Sequence, residues 1–381
     1  MNEAETEKII HIRKEGDGTE SCRQPFESLM KMTEHTGNII SYGPPGTGKT
    51  WRVGHFATYF LLHHNVSPHK AQAYWQAVQN NDDATASDLR EAAQRRTDGE
   101  GASQQHYLEF ITFHPSFAYE EFVEGIRPQT ANGQITYPVR PGVFRRLCER
   151  AEREPEKRFV LAIDEINRAN LSRVLGELIT LLEDDKRLGR ENERRVTLPY
   201  SGQRFGVPSN LTLLGTMNTA DRSIALLDTA LRRRFAFVEQ QPEPSLLGMV
   251  SGIDLAALLT RLNLRIAALL DTDHCIGHAY LMGSENMNPA NANTDNTDDA
   301  ESLRFAWFSR IVPLLQEYFY NDGERLQTVL GRDFVRDQPL QARLFDADTD
   351  AFASSRSRYQ IHSFAGDDKG FLTALKRLSG V

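Results

Sequence analysis

Short apolar runs alternate with amphipathic stretches through the first 240 residues. Runs that are typical of buried strands occur at Asn38–Gly43 and at residues 159–163. Between them, apolar residues recur at the three- and four-residue spacing of a helix that buries one face, as in residues 48–63. This alternation predicts an α/β fold, in which helices flank a parallel sheet.

Two segments are predicted to form β-hairpins between the main strands. Asn132-Gly133 lies between two extended pieces, and this dipeptide favours a tight hairpin turn. A second hairpin is predicted at residues 194–207. The remaining strands are expected at residues 107–113, 211–215 and 235–238, and further helices at 25–34, 117–125, 143–152, 171–183 and 224–233.

The pattern also divides the chain into segments. Residues 1–37 are a polar extension, and 38–241 carry the alternating core. Residues 64–106 are rich in Gln, Ala, Asn and Asp, which predicts an inserted helical arm with a poor core face and a loop at 97–103. The pattern is mainly helical over 242–332. Residues 333–381 form a mixed tail, in which a strand is predicted at 359–364 and a helix at 370–378.

Composition narrows the class of protein. The formal net charge is −8, so the surface as a whole does not attract nucleic acid. The three cysteines are far apart in sequence, which argues against a zinc site or a disulfide scaffold. No signal peptide and no run of 18 apolar residues is present, so we expect a cytoplasmic protein that does not enter the membrane.

The strongest motif is a glycine-rich loop that follows the first strand. It matches G-x-x-x-x-G-K-[ST] and opens a predicted helix. Glycines let backbone amides turn inward around phosphate oxygens, and the helix N-terminus adds a positive dipole end. We expect Lys49 to reach the β- and γ-phosphates. The residues assigned to the nucleotide are Gly43, Pro44, Pro45, Gly46, Thr47, Gly48, Lys49 and Thr50.

An acidic pair ends the most apolar strand. Asp164 and Glu165 follow residues 159–163, and α/β folds bind ligands at the carboxyl edge of the sheet. We expect Thr50 and Asp164 to hold Mg²⁺ and Glu165 to act as the general base that activates water. Together with the glycine-rich loop, the pair predicts a nucleoside triphosphatase.

Two further polar groups fit this chemistry less specifically. Asn218 follows the strand at 211–215 and could orient the attacking water, although asparagine at a strand end is often a turn residue. Arg232, Arg233 and Arg234 end a predicted helix. They could interact with the helix dipole, form a solvated patch, or supply an arginine finger to a neighbouring subunit. Arg232 and Arg233 are the preferred finger candidates, with one of the two expected to be structural.

These motifs together resemble the McrB family, the GTP-hydrolysing AAA+ subunits of modification-dependent restriction systems. The resemblance rests on Asp-Glu-Ile-Asn-Arg-Ala at 164–169, Met-Asn-Thr-Ala-Asp-Arg at 217–222 and Ala-Leu-Arg-Arg-Arg-Phe at 230–235. It covers about residues 38–320, apart from the arm at 64–106. The first element is shared with MoxR-like AAA+ chaperones, so an ATP-driven remodeller of proteins is the alternative.

The resemblance implies an AAA+ core followed by a helical lid at 242–332. It implies a homo-oligomeric ring, hexameric in the family, that uses GTP (or ATP) with Mg²⁺. It also implies a McrC-like nuclease subunit as partner and contact with DNA through the complex. Residue chemistry does not select guanine, because the base-reading lysine pattern of Ras-like GTPases is absent. The nucleotide-site residues that the resemblance adds or supports are Asn167, Asn218, Asp221 and Arg222.

Overall fold

A computed structural model describes residues 26–94, 106–131, 134–221, 228–282, 297–339 and 357–380. Its residue contacts divide the chain into two compact units. One unit comprises Met1–Tyr42 and Lys49–Glu239, and the other comprises Gly43–Gly48 and Gln240–Val381. Each unit has its own hydrophobic cluster. Within the described ranges, every helix is too short or too polar to cross a membrane.

A five-stranded parallel sheet lies at the centre of the first unit, with strand order β11-β1-β10-β7-β2. The predicted sheet flanked by helices is confirmed. Three short antiparallel pairs, β3–β6, β4–β5 and β8–β9, lie outside it. The strands of this unit are β1 (Asn38–Gly43), β2 (Leu108–Thr112), β3 (Glu124–Ile126), β4 (Gln129–Ala131), β5 (Gln134–Thr136), β6 (Val139–Pro141), β7 (Phe159–Asp164), β8 (Val196–Thr197), β9 (Arg204–Phe205), β10 (Leu211–Asn218) and β11 (Ala236–Glu239).

Helices flank this sheet because each has one apolar face to bury. Several are shorter than their sequence patterns predict, and residues 224–227 of one lie outside the described residues. The helices of the first unit are α1 (Glu27–His35), α2 (Lys49–Leu61), α3 (Pro68–Gln79), α4 (Asp83–Gln94), α5 (Tyr119–Phe122), α6 (Val143–Arg153), α7 (Leu171–Leu175) and α8 (Thr229–Arg232).

Strand register brings chemically active positions to one edge of the sheet. Ile163 of β7 pairs with Gly215 of β10, so both strands end at the same edge, in Asp164 and Asn218. In contrast, Ala236 at the start of β11 pairs with Ile39 near the start of β1. The residues that precede β11 therefore enter the sheet at the opposite edge.

The inserted arm has a larger apolar face than its sequence predicts. Tyr74 of α3 is fully buried and Leu89 of α4 is 7% exposed. Both belong to the hydrophobic cluster of the first unit. The prediction of a poor core face is therefore wrong, because alanines at helical spacing let α3 and α4 pack closely on each other and on α2. The predicted loop at 97–103 lies outside the described residues.

The helix predicted at 171–183 is broken in the middle. Helix α7 ends at Leu175, and Gly176–Leu182 form a 3₁₀ helix. The break occurs at Gly176, whose φ of 53° and ψ of −128° are not helical. The ring of Tyr119 would be only 3.3 Å from a Cβ at this glycine. Apolar periodicity does not reveal this packing, which explains why the sequence suggests one continuous helix.

The second unit buries its helices around Trp307, which is fully buried. The described part of the tail packs into the same cluster, through Phe334 and Phe371, rather than extending away from it. Residues 283–296 of this unit lie outside the described ranges. The elements are strands β12 (Met249–Val250), β13 (Ile253–Asp254), β14 (Val335–Pro339) and β15 (Ser357–Ile361), and helices α9 (Leu255–Leu269), α10 (Thr297–Ala306), α11 (Val312–Tyr318), α12 (Gly323–Leu330) and α13 (Asp368–Ser379).

Candidate functional site

The glycine-rich turn Gly43–Gly48 belongs to the second unit and has the backbone that the motif predicts. Gly46 and Gly48 have φ values of 74° and 76°, which favour glycine. The Gly277 amide donates to the Pro45 carbonyl at 2.9 Å. A Cβ at Gly46 would lie 2.4 Å from the ring of Tyr280. Close packing therefore requires glycine at this position as well as permissive backbone angles.

Lys49 is the first residue of α2 and is only 6% exposed. Burial lowers the pKa of its ammonium group to about 8, although the carboxylates of Glu165, Asp164 and Asp221 oppose the shift. The side chain is thus a desolvated cation that faces a cluster of acids. A cation in this environment interacts strongly with the phosphate groups of an incoming nucleotide.

The lowered pKa of Lys49 predicts that nucleotide binding takes up protons at alkaline pH. In the nucleotide-free protein, Lys49 loses its proton as the pH rises through about 8, whereas a bound triphosphate favours the charged form. We expect uptake approaching one proton per site near pH ~9 and little near pH ~7. Calorimetric titration in buffers of different ionisation enthalpy measures it.

The control for this measurement is Lys49→Arg, because a guanidinium stays charged across the whole range. If this variant binds nucleotide, its binding should take up no extra protons at the higher pH. Equal proton uptake at the two pH values by the unmodified protein would contradict the assignment of Lys49.

Thr50 and Asp164 lie together at the carboxyl edge of the sheet. The Thr50 hydroxyl donates to Asp164 Oδ1 at 2.7 Å, and the Thr216 hydroxyl donates to the same oxygen. These hard oxygen donors fit Mg²⁺, which is usually held by one or two protein oxygens together with phosphates and water. In the described part of the chain, no cluster of three or more His, Cys, Asp or Glu offers an all-protein metal cage. The donor set is therefore suited to a metal that arrives with a nucleotide.

Glu165 is held in an unusual conformation beside this pair. Its φ of 54° is in the left-handed region, which carries a backbone cost of about 1–3 kcal/mol outside glycine. The amide of Glu165 donates to the Thr216 hydroxyl at 3.1 Å. Its Oε1 accepts from the Asn218 side-chain amide, and Oε2 lies 3.2 Å from Arg168 Nε. Burial raises the pKa of this carboxyl, while Arg168 opposes the rise.

Asn167 and Asp221 extend the cluster. Asn167 Nδ2 donates to the Asn218 carbonyl at 3.2 Å, and Arg168 forms an ion pair of 2.9 Å with Asp221. Among the described residues, the buried Asn167 Oδ1 has no hydrogen-bond partner, and neither has the Thr219 hydroxyl. Buried polar atoms are normally satisfied, so these two point to water or ligand at this edge. Arg222 lies outside the described residues.

The three consecutive arginines differ in their surroundings. Arg232 and Arg233 are exposed, and neither forms an ion pair within the described ranges. The Arg234 guanidinium forms an ion pair of 2.6 Å with Glu183, and its carbonyl accepts from Asn38. Arg234 is therefore a structural residue, and Arg232 and Arg233 are the available cations.

Sequence reasoning missed two members of the site. Arg168 contacts both Glu165 and Asp221, and Thr216 connects Asp164 to the amide of Glu165. A signal for Thr216 was present, since residues two apart on a strand share a face and Asn218 was already a candidate. The only sequence signal for Arg168 is its position three residues after Glu165.

Comparison with known proteins identifies two families that match parts of the chain. Residues 38–235 match the family described as AAA domain (dynein-related subfamily), and residues 254–327 match the McrB alpha-helical lid domain. The chain is 33% identical over 325 residues to the type IV methyl-directed restriction enzyme EcoKMcrB subunit of Escherichia coli K12, covering 79% of this chain and 58% of that protein.

A second relative comes from a different restriction system. The chain is 29% identical over 160 residues to the type II restriction enzyme BsuMI component YdiS of Bacillus subtilis 168. That alignment covers 33% of this chain and 46% of the relative. The chain thus spans only about half the length of each of these relatives. The resemblance to the McrB family is nevertheless confirmed by the lid match and the first alignment.

Proposed function

This chain belongs to the AAA domain family, dynein-related subfamily, and from that premise we propose that it hydrolyses GTP as the motor subunit of a McrBC-like restriction complex. A separate McrC-like subunit supplies the nuclease. The observation that carries the proposal is the meeting of Lys49, Thr50, Asp164, Glu165 and Asn218 at one sheet edge. Phosphate binding, metal binding and water activation are the three functions that such a hydrolase needs.

In this proposal each side chain has a separate task. Lys49 and the amides of the glycine-rich turn bind the phosphates. Thr50 and Asp164 hold Mg²⁺, which neutralises charge on the phosphate oxygens when it is bound. Glu165 accepts the proton of the attacking water, and Asn218 orients that water through the amide it already directs at Glu165.

The sheet register supports an arginine finger that acts between subunits. Ala236 pairs with Ile39, and the amide of Leu213 donates to the carbonyl of Gly37. Because β1 lies between β11 and β10, these two contacts give the offset between Ala236 and Asn218. Asn218 lies about four residues, or roughly 13 Å, further along the sheet than Ala236. Arg232 and Arg233 precede Ala236 and enter from that far edge. This placement favours contact with the nucleotide site of a neighbouring subunit in a ring. In the McrB family, which the chain resembles, that ring is hexameric.

The lid match and the restriction relatives favour the restriction role over a MoxR-like remodeller. A test of substrate and partner is turnover of GTP and of ATP by the purified protein, alone and with any nuclease-bearing protein encoded in the neighbouring reading frame. We expect preference for GTP and a several-fold rise in kcat with that partner. A strong preference for ATP without any partner effect would contradict the restriction role.

A further inference from the structure

Helix α8, which ends at Arg232, is attached at both ends to one segment of the same unit. That segment comprises residues 171–183: helix α7, the 3₁₀ helix Gly176–Leu182 and Glu183. It begins six residues after Glu165, the proposed general base, so it lies close to the site along the chain. We call it the strut.

The first attachment is at the N-terminal end of α8. The Ser172 hydroxyl donates to Asp228 Oδ2 at 2.5 Å. The other oxygen of Asp228 accepts from the amide of Leu231 at 2.7 Å, which makes Asp228 the N-cap of α8. A single carboxylate thus caps the helix and fastens it to the strut.

The second attachment is at the C-terminal end of α8. The Arg234 guanidinium reaches Glu183 at 2.6 Å and also donates to the carbonyl of Ala230. The side chain of Arg234 is 10% exposed and that of Glu183 is 31% exposed, so this ion pair is partly shielded from solvent. Arg232 and Arg233 therefore extend from a one-turn helix that contacts the strut at both of its ends.

A helix this short has little stability of its own, so its direction depends on these contacts. Small misplacements of a catalytic group can reduce a rate by up to about 100-fold. We infer that the strut positions the arginine finger, and that Ser172 and Glu183 are positioning residues for hydrolysis at the neighbouring subunit's site. This inference rests on the proposed function, since it requires a finger that acts in trans.

The test is the variant Ser172→Ala, assayed as the full chain. We expect kcat to fall by about three- to tenfold with little change in KM, because the finger is misdirected while the subunit's own site is intact. Ser172→Thr keeps the hydroxyl and should retain turnover. Thr180→Ala removes another hydroxyl from the strut, one that donates to the carbonyl of Glu177, and it serves as the matched control.

Mixing separates a finger defect from a defect in the subunit's own site. Equimolar Lys49→Ala subunits cannot use their own site, but they offer normal fingers to Ser172→Ala sites. We expect turnover per Ser172→Ala subunit to rise about two- to fivefold in this mixture, because half of the neighbouring fingers are then normal. Unchanged kcat in Ser172→Ala, or a loss that mixing does not relieve, would overturn the inference.

The same mixing experiment tests the underlying premise independently. Arg232→Ala/Arg233→Ala subunits, mixed with Lys49→Ala subunits, should recover turnover if fingers act in trans. If this mixture does not recover turnover, the proposed ring mechanism is wrong. If this mixture recovers turnover and the Ser172→Ala mixture does not, only the role of the strut is wrong. Circular dichroism melting of each variant confirms that it folds.

Discussion

Replacing Glu165 with glutamine is expected to abolish turnover while nucleotide binding persists. Glutamine has nearly the same shape as glutamate but cannot accept the proton of the attacking water. General-base catalysis contributes about 10²–10⁴-fold, so kcat should fall by at least that factor. Single-turnover hydrolysis measures the loss, and titration with a fluorescent GTP analogue measures binding.

The pH dependence of kcat makes this test more specific. Glu165 acts as a base only when it is ionised, so kcat should fall as the pH drops through its pKa. Burial raises that pKa above the ordinary glutamate value, so the acidic limb should lie at higher pH than for an exposed carboxyl. Residual activity of Glu165→Gln should lack this limb. The exposed Glu191→Gln serves as the matched control and should behave like the unmodified protein.

Normal hydrolysis by Glu165→Gln would reject the assignment of the base. Loss of nucleotide binding together with turnover would instead indicate that Glu165 maintains the structure of the site. Such a loss would follow from the contacts of Glu165 with Asn218 and Arg168. The binding titration separates the two outcomes.

The second large effect is expected for the double variant Arg232→Ala/Arg233→Ala. An arginine finger stabilises charge on the transferred phosphoryl group and contributes about 10³–10⁵-fold in kcat. Both side chains are exposed and lie away from the sheet edge that carries Lys49 and Glu165. We therefore expect normal nucleotide affinity and a loss of turnover of that order, measured as kcat under saturating GTP.

Single variants identify the finger. Arg232 has its guanidinium 6.0 Å from the ring centroid of Phe237, an attachment that Arg233 lacks among the described residues. The arginine whose replacement reproduces the double variant is the finger. Arg190→Ala removes an exposed arginine elsewhere in the unit and is the matched control. A double variant that retains full turnover would exclude both residues from catalysis.

The sequence alone determined the parts of this protein that depend on local pattern. Two such parts are the glycine-rich turn before Lys49 and the acidic pair after an apolar run. Adjacent residues define each motif, because its chemistry requires those residue types at that spacing. The alternation of apolar runs and amphipathic stretches likewise predicted the parallel sheet, since burial of both sheet faces imposes that pattern.

Only the tertiary structure decided which distant residues meet. The contacts of Arg168 with Asp221 and of Thr216 with Asp164 join segments about fifty residues apart in sequence, and no local pattern encodes such pairs. The distinction between Arg234 and its two neighbours follows from an ion pair to Glu183. Likewise, the break at Gly176 depends on packing against Tyr119, which the sequence pattern does not reveal. Side-chain partners, strand register and helix packing depend on the folded chain as a whole, so local sequence patterns do not determine them.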